Sequence, residues 1–252
     1  MSVDFRAMVH RYRHKVMVGP QLDAADQIRA DRDYAELSRT KQSHRGLSEH
    51  QQLRQLAAVG ANEEYLEEIG KLTELTHLDL RWPMRAKDLA PLEQLQKLER
   101  LHLETASGIE DFSPLTRLPK LRVLTIENAP KMRSLDWVRP LKEQLEVFGY
   151  EGTVNKDQIV ESLDPLEGFA MEAFFCISLS NQSKRIDVLS SCPNLKLIDG
   201  AVLAPWAAYK ELEAKRPDII CSWFEPRNWY KGWRDGPSEE ERAAAEAADP
   251  RS

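Results

Sequence analysis

The sequence predicts a curved solenoid of the α/β class, with short strands stacked into a parallel concave sheet and a helical or irregular convex side. Two observations support this prediction. A leucine motif recurs at intervals of 23 residues, and a proline recurs in the segments that connect its copies. A fixed period of this size is typical of solenoids, because each unit buries half a core and stacking completes it.

The leucine motif is clearest between residues 72 and 126. It reads L-x-x-L-x-x-L-x-L, and its copies are Leu72–Leu80, Leu95–Leu103 and Leu118–Ile126. Weaker copies lie at 53–58, 145–150, 171–176 and 195–198, and residues 212–221 are a candidate closing unit. Alternate residues of a strand point to the same face, so the final L-x-L predicts a strand with two inward side chains. We expect about seven or eight such strands.

Proline recurs in the segment of each repeat that leads from one strand back to the next, which we call the returning arm. Each of these prolines stands directly before a leucine: Pro91, Pro114, Pro140 and Pro165. The first turn of a short helix tolerates proline, because its missing N–H and fixed φ cost nothing there. We therefore expect turns or short helices to start at these prolines.

The unit DFSPLTRLPKLRVLTI, from Asp111 to Ile126, resembles the repeats of bacterial leucine-rich-repeat proteins of internalin-like type. The resemblance covers roughly residues 47–203 and implies a leucine-rich-repeat solenoid with protein binding as its usual activity. Residues 195–202, LKLIDGAV, are similar to the ending of repeat proteins with a C-terminal cap. That likeness implies a helix over residues 204–215.

One position departs from the family pattern. The family commonly has asparagine three residues after the strand, where its side chain satisfies backbone groups of the turn. Here the corresponding residues are Pro83, Ala106, Ala129 and Thr153. We therefore expect irregular turns.

Both ends of the chain suggest caps. An open solenoid exposes the apolar flank of its terminal repeats, which a polar-faced element must cover. We expect an N-terminal cap or arm over residues 1–46, with a strand at Val16–Val18 and a helix at Ala24–Ser38. A basic arm of Arg6, Arg11, Arg13 and Lys15, contacting a partner or nucleic acid, is the alternative.

The C-terminal part is rich in aromatic residues. After the solenoid at 47–203, residues 204–235 contain Trp223, Phe224, Trp229, Tyr230 and Trp233 in close succession. Such density indicates either a cap or an interface anchor, and both interpretations stay open. Residues 236–252 lack large apolar side chains, so we expect a frayed helix or a flexible tail.

Composition narrows the classes of function. The formal net charge of -6 and the pI near 5.6 argue against nucleic-acid binding, which depends on Lys and Arg. No apolar run approaches the roughly 18 residues that cross a bilayer, and charges interrupt the amino terminus. We therefore expect a cytoplasmic protein without membrane contact. Three cysteines without C-x-x-C spacing predict no structural zinc, and we expect no cofactor.

The residues that flank the leucines of each strand should point outward from the concave face and form three columns. The columns are His77, Arg100, Val123, Val147, Ala173, Leu197; Asp79, His102, Thr125, Gly149, Phe175, Asp199; and Arg81, Glu104, Glu127, Glu151, Ile177, Ala201. The expected binding residues are His77, Asp79, Arg81, Arg100, His102, Glu104, Thr125, Glu127, Glu151, Phe175 and Ile177. Neighbours in a column predict two pairs, Arg81 with Glu104 and Asp79 with His102.

The third column places Glu104, Glu127 and Glu151 in a row, which we call the acidic stripe. Folding alone does not explain three like charges, whereas a partner with a basic surface would relieve them. Phe175, Ile177 and Leu179 follow as an apolar patch. The alternative is that the charges serve solubility and that the chain's own C-terminal segment covers the patch.

No catalytic constellation is recognisable. There is no Ser, Cys or Thr with a plausible base and no phosphate-binding glycine loop. His77, Asp79 and His102 could share a metal, but histidines in different columns chelate poorly, so we expect none. Cys176 and Cys192 occupy leucine positions and should be buried rather than nucleophilic.

These observations predict a protein that is not an enzyme: a protein–protein interaction scaffold that binds its partner through the concave face. One alternative is an inhibitor or immunity protein that plugs a basic cleft of a toxin or enzyme. Another is an enzyme subunit or substrate-positioning domain that acts through the aromatic C-terminal region. A homodimer is a further alternative that the sequence does not indicate.

Overall fold

The computed structural model describes residues 19–248. The largest sheet in this part of the chain has ten strands, paired in parallel in the order β1-β2-β3-β4-β5-β6-β7-β9-β11-β12. Strands β8 and β10 form a separate parallel pair. The strands are β1 (Gln21–Leu22), β2 (Tyr34–Ser38), β3 (Gln55–Val59), β4 (His77–Arg81), β5 (Arg100–Leu103), β6 (Val123–Glu127), β7 (Val147–Glu151), β8 (Gln158–Val160), β9 (Ala173–Cys176), β10 (Leu179–Asn181), β11 (Leu197–Gly200) and β12 (Ile220–Cys221).

The strand register follows the 23-residue period. Asp79 pairs with His102, and His102 pairs with Thr125, so residues one period apart lie abreast. The inward leucines pair in the same way, from Leu78 to Leu101 to Leu124. The prediction of a leucine-rich-repeat solenoid with a parallel concave sheet is confirmed.

Short 3-10 helices start the returning arms at the expected prolines. Pro91, Pro114 and Pro165 stand in the first turn of the segments Ala90–Gln94, Ser113–Arg117 and Asp164–Leu166. The carboxylates of Asp88 and Asp111 each accept a hydrogen bond from the backbone N–H two residues later, at 2.8 Å. The D-x-x-P motif thus combines an Asx turn with a residue that needs no donor. Pro140 differs, because it lies inside Asp136–Leu141.

The described residues contain three α-helices: α1 (Glu63–Gly70), α2 (Trp206–Lys215) and α3 (Glu239–Ala247). Helix α1 replaces a 3-10 segment in one repeat, and the Asn62 side chain caps it by accepting a hydrogen bond from the Tyr65 N–H. No helix within residues 19–248 combines the length and the apolar character needed to cross a membrane.

The leucines of successive repeats form one continuous core. Leu78, Leu101 and Leu124 are fully buried, and the same cluster extends from Ala25 to Trp229. Burying a leucine side chain stabilises the folded state by roughly 1.5 to 3 kcal/mol. Because each repeat contacts only its neighbours, stability depends on an unbroken series of such contacts.

The helix expected at Ala24–Ser38 is wrong. Ala25–Gln27 form a 3-10 turn and Tyr34–Ser38 form strand β2, with Ala35 and Leu37 buried in the core. Their spacing of two residues is that of a strand, but one alanine and one leucine make the pattern weak. The sheet therefore begins before residue 47 and, with β12, ends after residue 203. The strand expected at Val16–Val18 and the expected basic arm lie outside the described residues.

Several turns after the strands contain a residue with left-handed backbone conformation. The family pattern instead has an asparagine side chain three residues after the strand. Thr105, Asn128 and Ser178 have φ values of 63°, 52° and 49°, and Gly60 has 79°. Each is the second residue after the last inward side chain of its strand. The repeats thus place their special conformation one residue earlier than the family asparagine.

Helix α2 lies where the C-terminal likeness implied a helix, and aromatic rings pack around it. Trp229 contacts Trp206, Tyr209 and Trp223, with ring centroids 5.6 to 5.8 Å apart. We expected either a frayed helix or a flexible tail beyond residue 236. The described part of this segment contains helix α3. The division of the chain into solenoid and caps remains a prediction.

Candidate functional site on the concave face

The concave face carries more carboxylates than guanidinium groups. The residues next to these charged groups in sequence are buried in the core. Because successive side chains of a strand point to opposite faces, the charged groups point outward. The carboxylates on the strands of this face are Glu36, Asp79, Glu104, Glu127, Glu151 and Asp199, with Glu104 directly after β5. The guanidinium groups on the same strands are Arg81 and Arg100. The net charge of this surface is therefore negative.

Arg81 neutralises the part of the face near the amino terminus. Its Nη1 donates to Glu36 Oε2 at 2.9 Å, and its Nη2 lies 3.4 Å from Asp79 Oδ2. The expected pair of Arg81 with Glu104 is wrong, since Glu104 Oε2 accepts a hydrogen bond from the Trp82 N–H at 3.3 Å. Sequence analysis missed Glu36 because strand β2 was not recognised.

The middle of the face has a histidine between two polar neighbours. His102 Nδ1 lies 2.7 Å from Thr125 Oγ1, and its Nε2 lies 3.7 Å from Glu127 Oε1. These contacts connect β5 to β6, whereas the expected partner, Asp79, lies on β4. His77 Nδ1 lies 2.9 Å from Thr76 Oγ1. Arg100 Nη1 is buried without a hydrogen-bond partner in the described part of the chain.

Fewer carboxylates of the acidic stripe are accessible to solvent than we expected. Glu104 and Glu127 are half-buried, but Glu151 is only 2% exposed. Its Oε1 accepts a hydrogen bond from the Ile177 N–H at 3.2 Å, which connects β7 to the residue after β9. Glu104 and Glu127 are therefore the accessible carboxylates of the stripe.

The expected apolar patch is largely a buried cluster. Phe175 has no accessible surface, Leu179 is buried, and Ile177 alone keeps 44% of its surface exposed. Phe175 belongs to a second cluster, separate from the core, whose other buried members are Val123, Val147, Ala173 and Leu197. These residues stand on the concave face, so the prediction that Phe175 and Leu179 are exposed is wrong.

Gly149 makes room for this cluster. A Cβ at this position would lie 2.7 Å from Thr125 Cγ2 and 3.5 Å from Phe175 Cβ. The first distance is shorter than van der Waals contact allows. The missing side chain therefore lets Thr125 and Phe175 pack close to the Gly149 backbone.

Among the described residues, the cysteines are buried and the potential metal ligands are dispersed. In residues 19–248 no three His, Cys, Asp or Glu side chains are grouped closely enough to hold a metal ion. Burial raises the pKa of Cys192 to about 11 and that of Cys221 to about 12, and it raises the pKa of Cys176 well above its usual range. These thiols are therefore protonated at neutral pH.

Parallel strands one period apart, inward leucines and short returning 3-10 turns together define a leucine-rich-repeat solenoid. The chain is similar to an internalin (inlF) of Listeria monocytogenes, with a TM-score of 0.53 and 15% identity over 76% of this chain and 54% of that one. It is also similar to a leucine-rich-repeat protein of Leptospira interrogans, with a TM-score of 0.50 and 16% identity over 80% of this chain and 57% of that one.

The chain thus spans little more than half the length of both proteins. An internalin C2 (inlC2) of Listeria monocytogenes also aligns, with a TM-score of 0.42 and 17% identity over 62% of this chain and 74% of that one. No family model and no curated protein matches the sequence. At these identities the likeness establishes the fold, and the concave face is the basis for any argument about function.

Proposed function

We propose that this chain is a non-catalytic, cytoplasmic scaffold that binds a basic segment of another protein on its concave face. The observation that supports this proposal is the excess of carboxylates on that face, with five carboxylates on the strands and Glu104 directly after β5, against two guanidinium groups. Excess charge of one sign attracts a partner of the opposite sign and speeds its association.

Glu104 and Glu127 are the strongest candidates for partner contacts. They occupy one column on adjacent strands, which lie about 4.8 Å apart, so their charges repel each other. Arg81 pairs with Glu36 and Asp79, and His102 Nε2 lies 3.7 Å from Glu127 Oε1. A basic residue of a partner would add a favourable charge interaction with this half-exposed column.

The proposal has a narrower form that uses the same surface and an alternative that uses another one. An inhibitor or immunity protein would use the carboxylates to plug a basic cleft of a toxin or enzyme. An enzyme subunit would instead use the aromatic C-terminal region, where Tyr230 is 73% and Trp233 44% exposed. The excess of acidic groups favours the first form over the second.

The decisive experiment reverses charge where the side chains are accessible. The full chain carrying Glu104→Lys and Glu127→Lys is compared with the native chain in affinity capture from the cell of origin. Any captured protein is then titrated by calorimetry. Glu151 is left unchanged, because it accepts a hydrogen bond from Ile177. The control is Glu143→Lys with Glu93→Lys, two substitutions of the same charge on the returning arms.

We expect the concave double variant to bind the captured protein at least tenfold more weakly. The native affinity should fall as salt is raised, because exposed charges are screened. The control variant should bind as the native chain does. Equal binding by all three chains would place the interface elsewhere and exclude the proposal.

A further inference from the structure

Residues 226–237, which we call the aromatic C-terminal loop, have an inner and an outer layer of rings. Trp229 is the inner layer: it is buried, and its ring centroid lies 5.7 Å from that of Trp206 on helix α2. Tyr230 and Trp233 are the outer layer, with 73% and 44% of their surface exposed. The inner ring thus packs against the core, whereas the outer pair faces solvent.

A tight turn sets the two outer rings side by side. The Trp233 N–H donates to Tyr230 O at 3.2 Å, which closes a four-residue turn. Its third residue, Gly232, has a φ of 80°, the left-handed conformation that a type II turn requires there. The ring centroids of Tyr230 and Trp233 are 5.6 Å apart in an edge-to-face arrangement. The pair therefore presents one continuous aromatic surface.

A buried guanidinium fixes the backbone beneath these rings. Arg242 is 8% exposed, its Nη2 donates to Tyr230 O at 2.8 Å, and its Nη1 donates to Trp229 O. A second turn follows, in which the Gly236 N–H donates to Trp233 O at 3.0 Å. Ordering a loop opposes association, so a loop that is already held in place loses less entropy when a partner binds. The exposed rings are therefore preorganised for contact.

Two basic side chains accompany the rings. Lys231 and Arg234 are exposed, and within residues 19–248 neither forms an ion pair. Trp, Tyr and Arg are the residue types that contribute most binding free energy at protein interfaces. This surface thus combines apolar contact area with positive charge, whereas the concave face is acidic.

The wider surroundings of the rings are acidic, and this narrows the class of partner. From Glu225 to Glu241 the chain has five carboxylates and three basic side chains, and three of the carboxylates lie in the first turn of helix α3. Nucleic acids and anionic membranes bind through many adjacent cations, so this surrounding charge opposes them. A protein segment with one or two carboxylates beside an apolar side chain fits Lys231 and Arg234 better.

We propose that Tyr230, Lys231, Trp233 and Arg234 form a second docking site, which binds a short partner segment with acidic and apolar side chains. An apolar side chain of this segment packs on the Tyr230–Trp233 pair, and a neighbouring Asp or Glu contacts the basic groups. The inference goes beyond the proposed function, because its ligand is opposite in charge to that of the concave face. A chain with both sites connects a basic partner to an acidic one.

Selection of peptides on the full chain tests this site directly. A phage library of random peptides is selected on the native chain and depleted on the full chain with Tyr230→Ser and Trp233→Ser, which we call the ring variant. Trp229 is left unchanged, and urea unfolding checks that the ring variant keeps the native stability. The most enriched peptide is then labelled with fluorescein and titrated into each chain.

We expect the enriched peptides to share an Asp or Glu within a few residues of a large apolar side chain. The labelled peptide should bind the ring variant at least about tenfold more weakly, since aromatic anchors dominate small interfaces. Lys231→Glu with Arg234→Glu should weaken binding by roughly threefold or more, and added salt should weaken binding to the native chain. The matched control, Lys120→Glu with Arg133→Glu, reverses two exposed basic residues outside the loop and should bind as the native chain does.

The inference is overturned if no peptide distinguishes the native chain from the ring variant, or if the enriched peptides lack acidic side chains. Other occupants have their own readouts. Ring-dependent binding of oligo-dT, or of vesicles of phosphatidylcholine and phosphatidylserine, would overturn it because the ligand would then be a polyanion. A native dimer that the ring variant does not form, seen by sedimentation, would overturn it because the occupant would be a second copy.

The two proposals can fail separately. Glu104→Lys with Glu127→Lys should leave peptide binding unchanged, and the ring variant should still capture the basic partner. A ring-dependent acidic peptide without a captured protein would support the second docking site alone. A captured protein that depends on Glu104 and Glu127, without such a peptide, would support the scaffold alone.

Discussion

Arg81 Nη1 donates a hydrogen bond to Glu36 Oε2 at 2.9 Å, although 45 residues separate them in sequence. The pair spans two strand spacings, from β4 across β3 to β2. Small side chains on β3 make this possible, since Ala57 lies between Glu36 and Asp79 in the second column. The first recognisable repeats are thus connected to a strand that lacks the leucine motif.

Arg81→Met should destabilise the amino-terminal end of the solenoid. Glu36 is buried and would lose its cation, so we expect a loss of about 2 to 3 kcal/mol, below the 3 to 5 kcal/mol of a fully buried pair. Urea unfolding followed by circular dichroism measures the change. The control is Arg117→Met, which breaks the more exposed pair with Glu93 and should cost less than about 1 kcal/mol. Equal losses in both variants would contradict the assignment.

Stability should decrease below pH 6.5 because of His44. This side chain is 1% exposed and stacks on Tyr65 at a centroid distance of 5.3 Å. Burial lowers the pKa of His44 from its usual 6.5, because it disfavours the charged imidazole. The unfolded chain therefore takes up a proton at a higher pH than the folded chain. The contribution is complete above pH 6.5 and is lost as the pH falls through 6.5 towards the folded pKa.

Urea midpoints at pH 7.5 and 5.5 for the native chain and for His44→Gln check this prediction. We expect the native midpoint to fall more between the two values than that of the variant, because glutamine does not titrate. Identical decreases in both chains would show that His44 does not cause the pH dependence.

The three cysteines should be inert in the folded protein. Cys176, Cys192 and Cys221 are free and buried, and burial raises the pKa of each thiol. The thiolate is the reactive species, so protonated and inaccessible thiols react slowly. With Ellman's reagent at pH 8 we expect no release of dye from the native chain and all three thiols to react after unfolding in guanidinium. Fast reaction of one native thiol would contradict this prediction and reveal local opening around that residue.

The fold could be predicted from sequence because its cause is periodic. Leu78, Leu101 and Leu124 recur at one spacing, and burial of every copy requires them to stack. Strand β2 escaped recognition because Tyr34–Ser38 contains one leucine, and Ala35 gives a weaker hydrophobic signal in the other inward position. The register of the columns followed from the period alone.

The details of the face were less predictable. Register places Arg81 beside Glu104, but a long side chain can reach past its nearest neighbour, and Arg81 turns to Glu36 and Asp79. The strand pattern also directs Phe175 to the concave face without indicating what lies above it. The partner of a long charged side chain depends on how far that side chain reaches. The burial of an outward ring depends on what packs above it, and a 23-residue period encodes neither.

Arg242 holds the aromatic C-terminal loop in place. It is 8% exposed, its Nη2 donates to Tyr230 O at 2.8 Å, and its other nitrogens donate to carbonyls of Pro226, Trp229 and Pro237. Arg242→Met would leave these carbonyls without a donor. We expect a loss of about 2 to 4 kcal/mol in the stability of this region, since an unsatisfied buried acceptor costs about 1 to 3 kcal/mol.

Limited chymotrypsin digestion measures this loss, because Tyr230 and Trp233 lie in the loop that Arg242 holds. Cleavage there should be at least tenfold faster in Arg242→Met than in the native chain. Arg242→Lys should be intermediate, since one ammonium group cannot reach four carbonyls in the planar geometry of a guanidinium. Arg234→Met, at an exposed arginine in the same loop, should digest at the native rate. Equal acceleration in the Arg234 and Arg242 variants would mean that loss of charge, rather than loss of these hydrogen bonds, opens the loop.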